Sequence, residues 1–543
     1  MKKRSLLEVL SALACALVLT LASVAPAFAA DAPTGTITVT SEVPSQSKLY
    51  QVISVEDWTT GTTSAPTFRW NDKVAAWLRT YTVDGKQPYA AYVGAAANGA
   101  TPADDRVTDA FGSATADEVK ALYQALAASI GTGADQVNLN AAHTLDFTNA
   151  GNDGTQSLSW ADAPMGSYLV LTANSDATAK ADIRIYNPSV VNLVPVKQAD
   201  GSYALSQDPA DYSVVTKSTK PTIAKSQDTS DLTVGGMVGK TVTYTLIADV
   251  PTYAEGYQHK NFSIVDTMSK GLAYAGSSAK YYTVDANGAP TQTELDADSI
   301  AAPTSATNKD TGAITLTFTG DWAKLSAYAG QKVAVVYKAT ITADAVVHSA
   351  LTNEATLKYG NEFTTQSDQT KLYTYGISVF KYEVKDGNEF ALKGAKFELQ
   401  YGDPATTVSF VKTTDGAYRA AGAGEQDAVT EIEVAANGTL LLSDLAEGTY
   451  KLVETQAPAG FQKLQQPVEV TITKTDENNG DVQNQETVDG AVKNAGFAYT
   501  KVENKAGFSL PTTGGAGTLL LTAAGVVLLG GAALLMVRMR RQR

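Results

Sequence analysis

Cysteine is almost missing from this 543-residue chain: Cys15 is the single one, and it lies in the apolar opening stretch. The residues beyond it can form no disulfide, so any covalent bracing of a folded body has to use other chemistry. Histidine is nearly as scarce. His143, His259 and His348 stand far apart, and neither HExxH nor CxxC occurs, so the sequence implies no metal site and no cofactor. The nucleophile motif GxSxG is also missing, which removes the commonest hydrolase signature. Basic excess is absent too: 42 Lys and Arg face 56 Asp and Glu, a net charge of −14, so nucleic acid is not an expected partner. The stretch "VGGMVGKT" looks like a phosphate loop, but Val234 occupies the first glycine position and the segment runs into "VTYTLIADV", so it reads as a turn before a strand.

What is present begins with the two ends. Lys2, Lys3 and Arg4 precede an apolar run over residues 9–24, Pro26 breaks it, and Ala27-Phe28-Ala29 offers small residues for cleavage after Ala29 or Ala30. This pattern is a secretory signal. Ala12-Leu13-Ala14 before Cys15 is a poor lipobox, and the apolar run continues past it. At the other end residues 515–537 carry no charge, and at about 1.5 Å per helical residue they reach roughly the 30 Å of a bilayer core. Arg538, Arg540, Arg541 and Arg543 follow, which holds that end on the cytoplasmic side. Leu510-Pro511-Thr512-Thr513-Gly514 stands immediately before the span. LPTTG, apolar span and basic tail in that order resemble the cell-wall sorting signal of Gram-positive bacteria. The resemblance implies a sortase that cuts between Thr513 and Gly514 and passes the threonine carboxyl to an amine, with the membrane span a temporary hold.

Between the ends, threonine, valine and tyrosine alternate in runs such as "KTVTYTLIADV", "GAITLTFTG" and "QKVAVVYKATIT", separated by Gly, Asn, Asp and Pro turns. The fold class expected is all-β, with three immunoglobulin-like or Cna-type sandwiches in tandem. Residues 115–130, "TADEVKALYQALAASI", form the clearest helix, with Thr115 and Glu118 as a capping box and Val119, Leu122, Leu126 and Ile130 on one face. Polar connectors around Asp211 and Tyr373 divide the chain into a signal peptide (1–30), a first domain (31–211), a second (212–372), a third (373–506) and the sorting signal (507–543).

The third domain, on "GISVFKYEVKDGNEFALKGAKFELQ", "LLLSDLAEGTYKLVETQAPAGF" and "YTKVENKAGFSLPTTG", resembles a Cna B-type module. That family joins a first-strand lysine to a last-strand asparagine in an isopeptide bond promoted by a buried acid. The resemblance puts the lysine at Lys381, the acid at Glu454 and the asparagine at Asn504. The chemistry makes its own demand. A lysine attacks as the free amine, and burial lowers its pKa by up to about 3 to 5 units, while the same burial favours a neutral carboxyl able to polarise the amide. Alternation in "ISVFKYE" puts Lys381 on the face of Ile377 and Val379, which is the core face. "KPTIAKSQD", "FSIVDTMSKGLAY" and "LTNEATLKYG" resemble the middle domain of sortase-assembled pilin shafts, with Lys225, Asp266 and Asn353 as lysine, acid and asparagine; Lys220 and Asn361 are the competing amine and amide.

Pilin shafts also carry an acceptor lysine in a YPKN-like motif at the end of the first domain. Lys217 falls there, although Val215-Thr216-Lys217-Ser218 lacks the proline and the asparagine, and Lys197 in "VVNLVPVKQ" competes. The resemblance therefore implies a non-enzymatic major pilin on the surface of a Gram-positive bacterium. Its partners would be a pilus-type sortase, identical subunits, minor pilins at tip or base, and peptidoglycan. A monomeric wall-anchored adhesin and a minor pilin are the rival readings.

Overall fold

The computed structural model describes residues 34–507, apart from 43, 57, 99–102, 132–135, 149–154, 176–182, 254–256, 258 and 361, together with Arg538. The signal peptide, the LPTTG residues and the span 515–537 lie outside the described residues. Among the described residues no helix is long and apolar enough to cross a membrane.

Strand alternation builds the second sandwich. Thr241–Asp249 buries every other residue, with Val242, Tyr244, Leu246 and Ala248 inward, and Phe262–Met268 and Leu351–Tyr359 do the same. Side chains two apart share a face, so each strand offers one apolar face and two such sheets close over a common core. One sheet runs Ile223–Asp228, Thr241–Asp249, Lys332–Ile341, Lys280–Val284 and Pro290–Glu294, with Leu272–Tyr274 also on Lys332–Ile341. The facing sheet runs Thr304–Thr307, Ile314–Thr319, Phe262–Met268, Leu351–Tyr359 and Phe363–Thr364, and Asp368–Leu372 pairs with Leu351–Tyr359.

The third sandwich begins and ends on neighbouring strands. Tyr375–Lys385 lies between Asn388–Ala391 and Thr439–Leu445, and it also pairs in parallel with Phe497–Glu503. The opposite sheet centres on Lys396–Tyr401 and Gly448–Gln456. Lys381 is fully buried on the face of Ile377 and Val379, as the alternation requires.

The first part of the chain adds a helical layer. Gly166–Asn174 buries Tyr168 and Val170 against Ile37 and Val39, while Leu169 faces the core that includes Trp70, Leu122 and Leu126. Both faces of this strand are covered, which is why "GSYLVL" reads as a continuous apolar run. The helix Ala116–Ser129 forms with the expected capping box: Thr115 N–H donates to Glu118 Oε2 at 2.7 Å and Glu118 N–H to Thr115 Oγ1 at 3.3 Å. A second helix, Asp72–Thr80, contributes to the same core and was not expected. Its signal is Asn71, whose side chain caps Lys73 N–H at 3.1 Å, followed by Val74, Ala75 and Leu78 on one buried face.

"VGGMVGKT" is a turn before a strand, and the turn also docks on the third sandwich. Met237 N–H donates to Asp444 O at 2.8 Å, Ala446 N–H to Gly235 O at 2.9 Å, and Gly235 N–H to the Tyr450 hydroxyl at 3.0 Å. A Cβ on Gly236 would stand 2.9 Å from Ala420 Cβ, so glycine is what permits this approach.

Candidate functional site: two buried lysine, carboxyl and asparagine sets

In the second sandwich the lysine crosses from one sheet to the other. Lys225 lies on Ile223–Asp228, and its backbone N–H donates to Asp368 Oδ2 at 2.7 Å, which ties that edge strand to the opposite sheet. Its Nζ stands 2.7 Å from Asp266 Oδ2, with both side chains fully buried. Asp266 and Asn353 share a face of the opposite sheet, because Asp266 pairs with Ala355 and Met268 with Asn353. The Tyr337 hydroxyl joins the two: it donates to Asp266 Oδ2 at 2.7 Å and accepts from Asn353 Nδ2 at 2.6 Å. The Tyr244 ring, 4.9 Å from Nζ, walls the amine from solvent.

Burial dominates the electrostatics of this pair. It lowers the Lys225 pKa against the opposing pull of Asp266, and it raises the Asp266 pKa against the opposing pull of Lys225. Both directions favour the neutral amine and the neutral acid. Asp266 Oδ1 and Asn353 Oδ1 are buried acceptors that receive no hydrogen bond. A proton on Asp266 would turn one of its carboxyl oxygens into a donor.

The third sandwich repeats the set with a longer acid. Lys381 Nζ stands 3.6 Å from Glu454 Oε1 and donates to Val502 O at 3.1 Å. Asn504 Nδ2 donates directly to Glu454 Oε2 at 3.1 Å and to Gln462 O at 2.6 Å, and Leu464 N–H holds the same Oε2 at 2.8 Å. Lys381 pairs with Val502 across the parallel strands, and Asn504 N–H donates to Tyr382 O at 3.0 Å, so lysine and amide leave adjacent backbones. Burial against the Phe397 side brings the Lys381 pKa down to about 8. Glu454 Oε1 and Asn504 Oδ1 are again buried acceptors without a donor.

The competing residues stand elsewhere. Lys220 is exposed and Asn361 lies outside the described residues. Lys217 is exposed at the start of Lys217–Thr219, opposite Asn187, while Thr216 before it is buried with its N–H on Thr40 O at 2.9 Å. Partial burial and the neighbouring Lys120 both lower the Lys217 pKa. Lys197 is exposed on a two-residue strand opposite Tyr203. Tyr337, Gln462 and Lys120 were missed by sequence reasoning; Tyr337 had a signal, since "KVAVVYK" puts its polar tip on the core face of Val333 and Val335. Among the described residues no cluster of three or more metal-ligating side chains occurs.

Three family models match successive parts of the chain. A Gram-positive pilin backbone subunit 2, Cna-B-like domain matches residues 238–363, a SpaA prealbumin-like fold domain matches 377–486, and an LPXTG cell wall anchor motif matches 502–542. These matches bear out the resemblance read from the sorting signal and from the second and third domains. A search of curated proteins finds no match. Solved structures similar to this chain include the T6 backbone pilin of serotype M6 Streptococcus pyogenes, 16% identical over 88% of this chain and 94% of that one, with a TM-score of 0.46. The full-length major pilin SpaD from Corynebacterium diphtheriae is 15% identical over 87% and 97%, with a TM-score of 0.46. BcpA, the major pilin subunit of Bacillus cereus, is 16% identical over 69% and 92%, with a TM-score of 0.36.

Proposed function

We propose that this chain, in which a pilin backbone domain, a prealbumin-like domain and an LPXTG cell-wall anchor follow one another, is the shaft subunit of a covalent surface pilus on a Gram-positive bacterium. It is a structural protein that a sortase cuts between Thr513 and Gly514 and joins to Lys217 of the next subunit, the last subunit passing to peptidoglycan. Minor pilins would cap the tip or base, and the membrane holds the chain only until cleavage.

Two intramolecular bonds brace each subunit, Lys225 to Asn353 and Lys381 to Asn504. In each, the neutral amine attacks the amide carbon, a C–N bond forms, and the amide nitrogen leaves as ammonia with one proton taken from the amine. Asp266 or Glu454 moves that proton and polarises the amide, so the chain is its own catalyst for a single turnover. The observation that carries this reading is the buried Lys225 and Asp266 pair, 2.7 Å apart and both shifted toward their neutral forms beside a buried amide. Intact-mass spectrometry of residues 31–507 tests it. Each bond releases one ammonia, about 17 Da, so two bonds should appear as two such deficits, and Glu454→Ala should remove one. A full, unreduced mass would leave a wall-anchored β protein with no cross-links.

The amine sets the pH dependence. With its pKa near 8, the reactive fraction of Lys381 falls about tenfold for each pH unit below that value. Chain recovered unfolded in denaturant and refolded at pH 6 should therefore form the third-domain bond roughly a hundredfold more slowly than at pH 8.5. A rate that stays flat across that interval would mean that lysine deprotonation does not limit the reaction.

A further inference from the structure

The two sets differ in how the acid reaches the amide. Glu454 Oε2 accepts from Asn504 Nδ2 directly at 3.1 Å. Asp266, one methylene shorter, meets Asn353 through the Tyr337 hydroxyl, at 2.7 Å on the acid side and 2.6 Å on the amide side. Asp266 Oδ2 is thus shared by the amine and the phenol, and the phenol touches the nitrogen that must leave.

We propose that Tyr337 is a catalytic residue of the second sandwich, carrying the proton from Asp266 to the departing nitrogen of Asn353; this rests on the cross-link reading above. As Lys225 Nζ bonds to the Asn353 carbon, the amide nitrogen loses its conjugation and changes from donor to acceptor. The three-atom chain then reverses: Asp266 Oδ2–H gives its proton to Tyr337 Oη, Tyr337 gives its own to Nδ2, and the attacking amine returns a proton to Oδ2. The C–Nδ2 bond breaks and ammonia leaves, with Tyr337 and Asp266 restored to their starting forms. Nothing is oxidised or reduced, and one proton has moved from Nζ to Nδ2. The phenol is suited to passing a proton rather than losing one. It is fully buried, its ring packed at a tilt 5.5 Å from Tyr244 and 5.8 Å from Phe318, and burial holds its own ionisation well above the usual tyrosine value.

The test uses residues 31–507, which contain every described strand, recovered unfolded and refolded while the two bonds are followed by intact mass and peptide mapping. Tyr337→Phe should slow the Lys225 to Asn353 bond by about a hundredfold or more, the scale of a lost general acid, and leave the Lys381 to Asn504 bond at its normal rate. Adding Asp266→Glu to Tyr337→Phe should restore much of the rate, because a longer acid can touch the amide directly as Glu454 does. A purely structural role for the hydroxyl would give no such rescue, and a folded, protease-resistant double variant that stays unlinked overturns the proposal. Tyr337→Phe that links at the unsubstituted rate also overturns it, while the cross-link stands. Absence of the Lys225 to Asn353 bond in the unsubstituted chain removes the reaction itself.

Discussion

Asn353→Ala is expected to lower the melting temperature of the second sandwich by roughly 10 to 20 °C, and Asp266→Ala by more. Either substitution prevents the proposed bond. That bond closes a loop of roughly 130 residues, for which the chain-entropy scale of a cross-link gives about 5 kcal/mol, and a domain of this size shifts by about 2 to 4 °C per kcal/mol. Asn353→Ala stops there, because Lys225 keeps Asp266 as its buried partner at 2.7 Å. Asp266→Ala also leaves a lysine in the core with no acid beside it, a defect on the order of 3 kcal/mol or more.

The two variants should separate by their pH dependence. In Asp266→Ala the folded-state pKa of Lys225 is depressed by burial with only the weaker pull of Asp368 opposing it, so the unfolded chain binds the extra proton. Stability must then rise with pH through the interval between that depressed value and the ordinary lysine value near 10.4. Asn353→Ala retains Asp266, whose opposing pull offsets part of that depression, and should show a shallower slope. Melting curves at pH 7 and pH 9, with the mass of each sample recorded, decide the matter. Two variants that melt with the unsubstituted chain would show that no bond spans this core.

The strands were legible because their alternation is local. "KTVTYTLIADV" and "FSIVDTM" each bury every second residue, as their patterns state. Lys381 was legible for the same reason, being a charged residue in phase with Ile377 and Val379. Tyr337 was not, because a buried tyrosine looks like any other core aromatic until the opposite sheet supplies partners 71 and 16 residues away in sequence. The helix Asp72–Thr80 is short and rests on a sheet already covered on its other face, so its apolar residues blend into the runs around Trp70 and Trp77. The glycines of "VGGMVG" signalled a turn but not its docking on Asp444 and Tyr450, since close approach depends on where a second domain lies. Lys120 next to Lys217 is likewise a tertiary fact, a helix residue brought to a strand nearly a hundred positions later.

That neighbour bears on polymerisation, where Lys217→Arg is expected to abolish high-molecular-weight ladders in cell-wall extracts and leave sortase-cleaved monomer. Acyl transfer needs a free amine on an exposed, well-held backbone. Lys217 is exposed, its strand pairs with Asn187, and Thr216 beside it is fixed to Thr40. Partial burial and the positive charge of Lys120 both lower its pKa, which raises the fraction of nucleophile at neutral pH. Arginine keeps the charge and the length, but its guanidinium stays protonated and does not attack an acyl-enzyme. Lys120→Ala should be milder, slowing ladder growth modestly wherever the pH lies below the pKa of Lys217, because it removes a perturbing charge and not the nucleophile. Lys197→Arg should polymerise normally. If Lys197→Arg abolishes the ladder and Lys217→Arg does not, the acceptor is Lys197, and the lowered pKa of Lys217 has no part in assembly. If the unsubstituted chain forms no ladder, neither lysine is an acceptor and the monomeric adhesin reading replaces the shaft.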